Sequence, residues 1–222
     1  QDEMKSNGKT IKNWLGTSKI LNVKRNVEED LIEYITRHSR LVPRDIVIMC
    51  NRISAARRLY RTNNNIDIQQ FIRKVIADCS VEFGNELITI CAKNINAIGL
   101  PVNAGRHEFS EGFVAYEPYL KKSFSKLKGI LEKLSSDRID MEELDAICKK
   151  ADDTFEFSSY LSDILWQNGA IGYIDDAGIS RLYAQGAIVD QSIPKRNCYT
   201  IRSFLIDALE IKNAYKNPEK LL

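Results

Sequence analysis

Pro43 separates two amphipathic patterns, and the corner it creates restricts this chain more than any other feature. The run Y-I-T-R-H-S-R-L-V-P-R-D-I-V-I-M-C-N, residues 34–51, ends one helical repeat and begins another. Proline suits a first helical position, where its missing N–H is not needed and its fixed φ is already helical. The corner gathers Arg37, His38, Arg40 and Arg44 within about two helical turns. A helix start offers free backbone N–H groups and the positive end of the dipole, and with arginine forks nearby it suits an anion, phosphate above all. The plainer alternative pairs Arg44 with a neighbouring carboxylate and leaves His38 as a C-terminal cap.

The pattern around this corner is helical. Asn26 is positioned to cap a helix whose first turn holds Glu28, Glu29 and Asp30, with Val27, Leu31, Tyr34 and Ile35 recurring up to His38. From Pro43, residues Ile46, Val47, Met49, Cys50, Ile53 and Leu59 give an apolar stripe; Arg44, Arg52, Arg57, Arg58 and Arg61 face only Asp45 on the other side. Asn63, Asn64 and Asn65 break that helix. Asp67 then caps a long one reaching about Ala97, with a kink expected at Gly84. The loop from Gly99 to Gly105 bounds a helical domain spanning 26–105. Residues 1–25 form a loosely ordered lead-in anchored by Trp14, Leu15, Ile20, Leu21 and Val23. Its Gly8-Lys9-Thr10 lacks the earlier glycine and the preceding strand of a phosphate loop, so that reading is rejected.

Residues 106–211 change to shorter units. Helices are expected from Tyr119 to Leu134, after the cap Asp140, and from Phe155 to Trp166 with a stop at Asn168 and Gly169. Residues 170–174 and 179–184 then form a hairpin about Asp175-Asp176-Ala177-Gly178, and Tyr199 to Leu209 closes the unit as a helix. Three helices followed by a hairpin are the winged-helix arrangement. The expected fold is therefore mainly α, a helical bundle followed by a winged-helix domain with a small β-hairpin; residues 212–222 are a tail.

Charge and composition narrow the function. The net charge of +2 gives no global attraction to nucleic acid or anionic membrane, so anion binding must be local. No apolar run approaches the roughly 18–20 residues of a membrane span, and residues 1–10 lack a signal-peptide core, which points to the cytoplasm. The start in polar residues without methionine suggests a fragment. Cys50, Cys79, Cys91, Cys148 and Cys198 are widely spaced with no C-x-x-C pair, so reduced buried thiols are expected and no metal site. His38 and His107 are the only histidines, and no hydrolase motif is present. No catalytic residue is assigned, and the chain is not expected to be an enzyme on its own.

The segment Y-I-T-R-H-S-R-L-V-P-R-D-I, followed far downstream by L-W-Q-N-G-A-I-G-Y-I-D, resembles the C-terminal part of bacterial P-loop ATPases of the STAND/AAA+ kind. The resemblance covers roughly 10–62 and 115–211. It implies that the helical domain is lid-like and that Arg44, at a lid-helix start, senses the nucleotide, with Arg37, His38 and Arg40 as further candidates. It also implies a winged helix that relays the state through protein contacts, and a role in stress or antiviral defence. ATP and Mg²⁺ would belong to an upstream ATPase core, the expected partner; this chain carries no cofactor of its own. Self-association is left open. The alternative is a winged-helix nucleic-acid binder. Its contacts would be Arg52, Arg57, Arg58 and Arg61 on one helix and Lys121, Lys122, Lys126 and Lys128 on another, since Glu156, Asp163, Asp175 and Asp176 would repel a phosphate backbone.

Overall fold

The computed structural model describes residues 12–23, 26–40, 42–60, 67–98, 109–155, 161–181 and 192–211, with backbone alone at 59–60, 94–98 and 109–119. Gly8-Lys9-Thr10, Arg61, Asn63 to Asn65, the loop 99–105, His107, Glu156 and the tail lie outside the described residues. The described residues are mostly helical, with two small antiparallel sheets among them. It divides into two compact units, one of residues 1–83 with 203–208, the other of 84–202 with 209–222. The division falls at Phe83/Gly84, within a helix, whereas the sequence suggested the loop at 99–105.

In the first unit, residues 12–15 make a helical turn that ends at Gly16, whose φ of 94° is one that L side chains rarely adopt. Strand β1 (Lys19–Asn22) pairs antiparallel with β2 (Val27–Asp30), and Asn26 takes a positive φ of 54° in the connection. In the described part of the lead-in, residues 12–23, the anchors Leu15 and Ile20 are fully buried, while Trp14 is 46% exposed. One expectation is corrected here. The helix begins at Leu31 and not near Val27. Asp30 caps α1 (Leu31–Arg37), its carboxylate accepting from the N–H groups of Ile32 at 2.8 Å and Glu33 at 3.3 Å.

Helix α2 (Pro43–Tyr60) starts at the proline as expected, and α3 (Ile68–Ile98) follows. The buried stripe of α2 runs Asp45, Met49, Cys50, Ile53, while Val47 is 55% exposed. Asp45 thus lies on the core side, not among the arginines. Ile72, Ile76, Cys79 and Phe83 of α3 complete the core of this unit with Leu31, Tyr34 and Ile35. Residues 203–208, helix α7 (Ser203–Ala208), belong to the same unit and bury Phe204, Leu205 and Ile206.

The second unit runs α4 (Phe109–Leu131), β3 (Arg138–Asp140), α5 (Met141–Asp152), α6 (Leu161–Gln167), β4 (Ile171–Ile174), β5 (Ser180–Arg181) and β6 (Cys198–Ile201). Asp140 caps α5 as expected, accepting from Glu143 N–H at 2.8 Å, and Glu143 in turn accepts from the N–H and hydroxyl of Ser135. Gly169, φ 67°, ends α6 with the paired bonds Gly169 N–H to Trp166 and Ala170 N–H to Leu165. The sheet has four strands in the order β3-β6-β4-β5, not two. Tyr199 to Ile201, expected to begin a helix, belong to the strand β6 between β3 and β4. Its β-branched and aromatic residues suit a pleated surface, and Tyr199 is 2% exposed.

Burial raises the pKa of each of the five thiols, Cys148 to about 11 and Cys91 to about 12. All five are free. A raised native pKa stabilises the fold fully below the unfolded value near about 8.5, and that contribution is lost as the pH climbs toward the native value. Through the thiols, denaturant melts should therefore be flat from neutral pH to about 8.5 and weaken above it. Cys91→Ala should reduce that alkaline slope by up to about 1.4 kcal/mol per pH unit.

Candidate functional site at the helix corner

The corner between α1 and α2 is built from short, local bonds. The His38 N–H donates to the carbonyls of Tyr34 and Ile35, and the Ser39 hydroxyl donates to Thr36 at 2.8 Å, closing α1. Val42 then accepts from the N–H of Asp45 as α2 starts.

Three of the four predicted cations meet carboxylates. Arg40 donates to Asp45 three times, from its backbone N–H at 3.2 Å, from Nε at 2.8 Å and from Nη2 at 2.9 Å. Asp45 is fully buried and the Arg40 side chain only 15% exposed, with its guanidinium 5.2 Å from the Phe83 ring centre. Arg37 forks onto Glu29, at 2.9 and 2.7 Å, and the amide of Asn22 donates to the same carboxylate at 2.5 Å. His38 is buried, its Nδ1 2.8 Å from the Tyr34 carbonyl and its Nε2 3.6 Å from Asp207 of α7.

Arg44 stands apart. It is exposed in the first turn of α2 and makes no hydrogen bond or ion pair with any described residue. The structure therefore gives Arg37, His38 and Arg40 each its own carboxylate and leaves Arg44 beside them. Asp45, at the third position of α2, supplies the helix start with an anion from within the chain, where phosphate was expected. Sequence reasoning counted Asp45 on the wrong face. Its spacing of four from Met49 and eight from Ile53 was the available signal.

The basic residues of the nucleic-acid alternative are divided as well. Arg52 is held by Glu82 at 2.8 Å, a bond that raises the arginine's pKa and lowers the glutamate's. Arg57 donates to two backbone carbonyls, those of Asn13 at 2.7 Å and Trp14 at 2.9 Å, while Arg58 is exposed. In the second unit Lys121, Lys122 and Lys126 are exposed and Lys128 is half-buried. Lys126 reaches the Phe155 ring at 5.9 Å.

Two of the acidic residues set against nucleic acid, Asp163 and Asp175, are structural. Asp163 on α6 accepts from the N–H of Ile193 at 2.8 Å, which ties down the segment before β6. Asp175 accepts from the N–H groups of Ile179 at 2.8 Å and Ala177 at 3.0 Å and from Arg181 at 2.8 Å. Those bonds, the one from Ile179 foremost, hold its pKa below the ordinary carboxylate value. Asp176 has Arg196 at 4.0 Å. The hairpin tip therefore carries its own counter-charges.

Among the described residues no three metal-ligating side chains converge, and no helix is long and apolar enough to cross a membrane. No protein-family model, curated protein or solved structure matches the chain.

Proposed function

We propose that this chain is a regulatory region of a P-loop ATPase, in which Arg44 reports the nucleotide state of an upstream core and the second unit passes it on through protein contacts. The observation that carries this reading is the contrast at the corner. Arg37, His38 and Arg40 are locked to Glu29, Asp207 and Asp45, and Arg44 alone is presented to solvent from that fixed base. With the backbone of the corner already fixed, a phosphate that arrives has only the rotamers of one guanidinium to order. ATP and Mg²⁺ are assigned to the core, since phosphoryl transfer needs a phosphate cradle and metal ligands that a single arginine does not supply.

The second unit is read as a winged helix. Supporting this are the order of three helices with β3 between the first two and the sheet order β3-β6-β4. Its third helix, α6, is turned to internal duties: Leu161, Ile164, Leu165 and Trp166 are buried and Asp163 holds Ile193. That assignment favours a scaffold for protein contacts over a helix that reads DNA. Such a relay operates only where nucleotide binds the two arrangements with different affinity.

The test joins this chain to the segment encoded upstream of it and compares wild type with Arg44→Ala. Turnover or ATP affinity should fall by about tenfold or more, the loss of a charged hydrogen bond. The exposed position predicts a stability change within about 0.5 kcal/mol. Unchanged turnover and affinity would overturn the assignment.

A second reading, nonspecific nucleic-acid binding by the second unit, is favoured by one observation. The hydrogen bond between Lys150 and Lys133, and after it the charge of Lys150, lowers the pKa of Lys133. Lys122, Lys126, Lys133 and Lys150 are all exposed, and a polyanion would relieve the repulsion at the pair. Affinity for random-sequence DNA should then fall steeply between 50 and 200 mM salt, roughly as a power law in salt concentration, and Lys133→Glu with Lys150→Glu should flatten the slope. A salt-independent affinity would dismiss it.

A further inference from the structure

The first unit contains a cavity that the corner does not use. Its volume is about 190 Å³, and Asn13, Trp14, Ser54, Arg57 and Arg58 line it. Arg57 is aimed by its surroundings. One terminal nitrogen, Nη1, is held by the carbonyls of Asn13 and Trp14. Neither Nε nor Nη2 meets a protein acceptor among the described residues. That edge is the one with which arginine grips a phosphate or carboxylate through two parallel bonds.

Gly16 makes the arrangement possible. A Cβ at that position would come within 3.1 Å of Arg57 Nε and 3.3 Å of Cζ, and the backbone φ of 94° disfavours any side chain there. Arg58, exposed beside it, meets no carboxylate among the described residues. Among the described residues, two guanidinium groups thus share one cavity with no carboxylate in its lining, only neutral polar groups of Asn13, Trp14 and Ser54. Trp14 supplies a planar, 46% exposed indole in the same wall. Exposed tryptophan next to paired arginines matches a ligand that is anionic at one end and flat at the other.

We propose that Trp14, Arg57 and Arg58 form a binding site for a nucleotide, with its phosphate on the two arginines and its base on the indole. The shared chemistry is a phosphate ester beside an aromatic ring, and its source is either a free mononucleotide or one residue of a single strand. The proposal is independent of the role given to Arg44, which lies outside this cavity.

The chain has two tryptophans, and Trp166 is only 1% exposed, so ligand-induced changes in emission report on Trp14. Residues 1–222 are titrated by fluorescence and calorimetry with AMP, with a short oligothymidylate and with inorganic phosphate. Saturable quenching by AMP supports the site and identifies a free nucleotide as sufficient. Saturation by the oligonucleotide alone supports it and identifies a single strand. In either case Arg58→Glu and Trp14→Ala, both exposed and therefore safe for folding, should each weaken affinity by about tenfold. Arg57→Lys, which keeps the charge and loses the fork, should weaken it too. Binding of inorganic phosphate as tight as that of AMP, affinity indifferent to Arg58→Glu and Trp14→Ala, or no saturation by AMP or oligonucleotide would each overturn the proposal.

Discussion

Replacing Asp45 with alanine will lower the unfolding free energy by about 3–5 kcal/mol, the largest effect expected of any single substitution at the corner. The carboxylate is fully buried and receives three donors from Arg40. Removing it takes the buried acceptor of three bonds away from Arg40, whose side chain is only 15% exposed. Most of the loss reflects the guanidinium left behind, not the worth of the pair itself. A double replacement, Arg40→Met with Asp45→Leu, should therefore recover most of the stability, because a well-packed apolar pair is often no worse than a buried ionic one. Urea melts followed by circular dichroism distinguish the cases. A single variant that melts within 1 kcal/mol of wild type, about the worth of one ordinary hydrogen bond, would mean that Asp45 is not the lock described.

Trp166→Ala should cost a similar amount, about 3–5 kcal/mol, but in the second unit. Trp166 is among the largest fully buried side chains, and its ring lies 5.6 Å from that of Tyr173 at an angle of 40°. Truncation removes the apolar burial and leaves a void against Tyr173, and the aromatic contact adds about 0.5–1.5 kcal/mol. Trp166→Phe should lose less, since it keeps a ring in the same place. Circular dichroism is again the readout, because this substitution removes one of the two fluorophores. A loss below about 1 kcal/mol would mean that the site collapses around the gap.

What the sequence made legible was chiefly what neighbouring residues decide. Pro43 at a helix start, Asp140 as a cap and Gly169 as a stop each act within one turn, and each stands where its chemistry placed it. The elements that were misread depend on partners far away in the chain. Val27 to Asp30 is rich in acids that look like a helical first turn, yet it is a strand because β1 pairs with it. Tyr199 to Ile201 looked like the start of a closing helix, and only their place between β3 and β4 makes them extended.

The candidate site follows the same rule. The basic residues of the corner were visible as a cluster in the sequence. Their consumption by Glu29, Asp45 and Asp207 was not, because Glu29 comes from a strand, Asp45 sat on a misassigned face and Asp207 lies 169 residues beyond His38. A count of positive charge near a turn measures an opportunity for anions, and internal carboxylates answer it as readily as a ligand.

The membership of α7 in the first unit bears on how the chain matures. Phe204, Leu205 and Ile206 are buried there and Asp207 faces His38. During ribosomal synthesis residues 1–83 emerge long before 203–208, so that unit cannot complete its core until the chain has been made through residue 208. The nascent first unit must wait with apolar surface uncovered, and a stop codon after Arg202 would leave it permanently in that unfinished state.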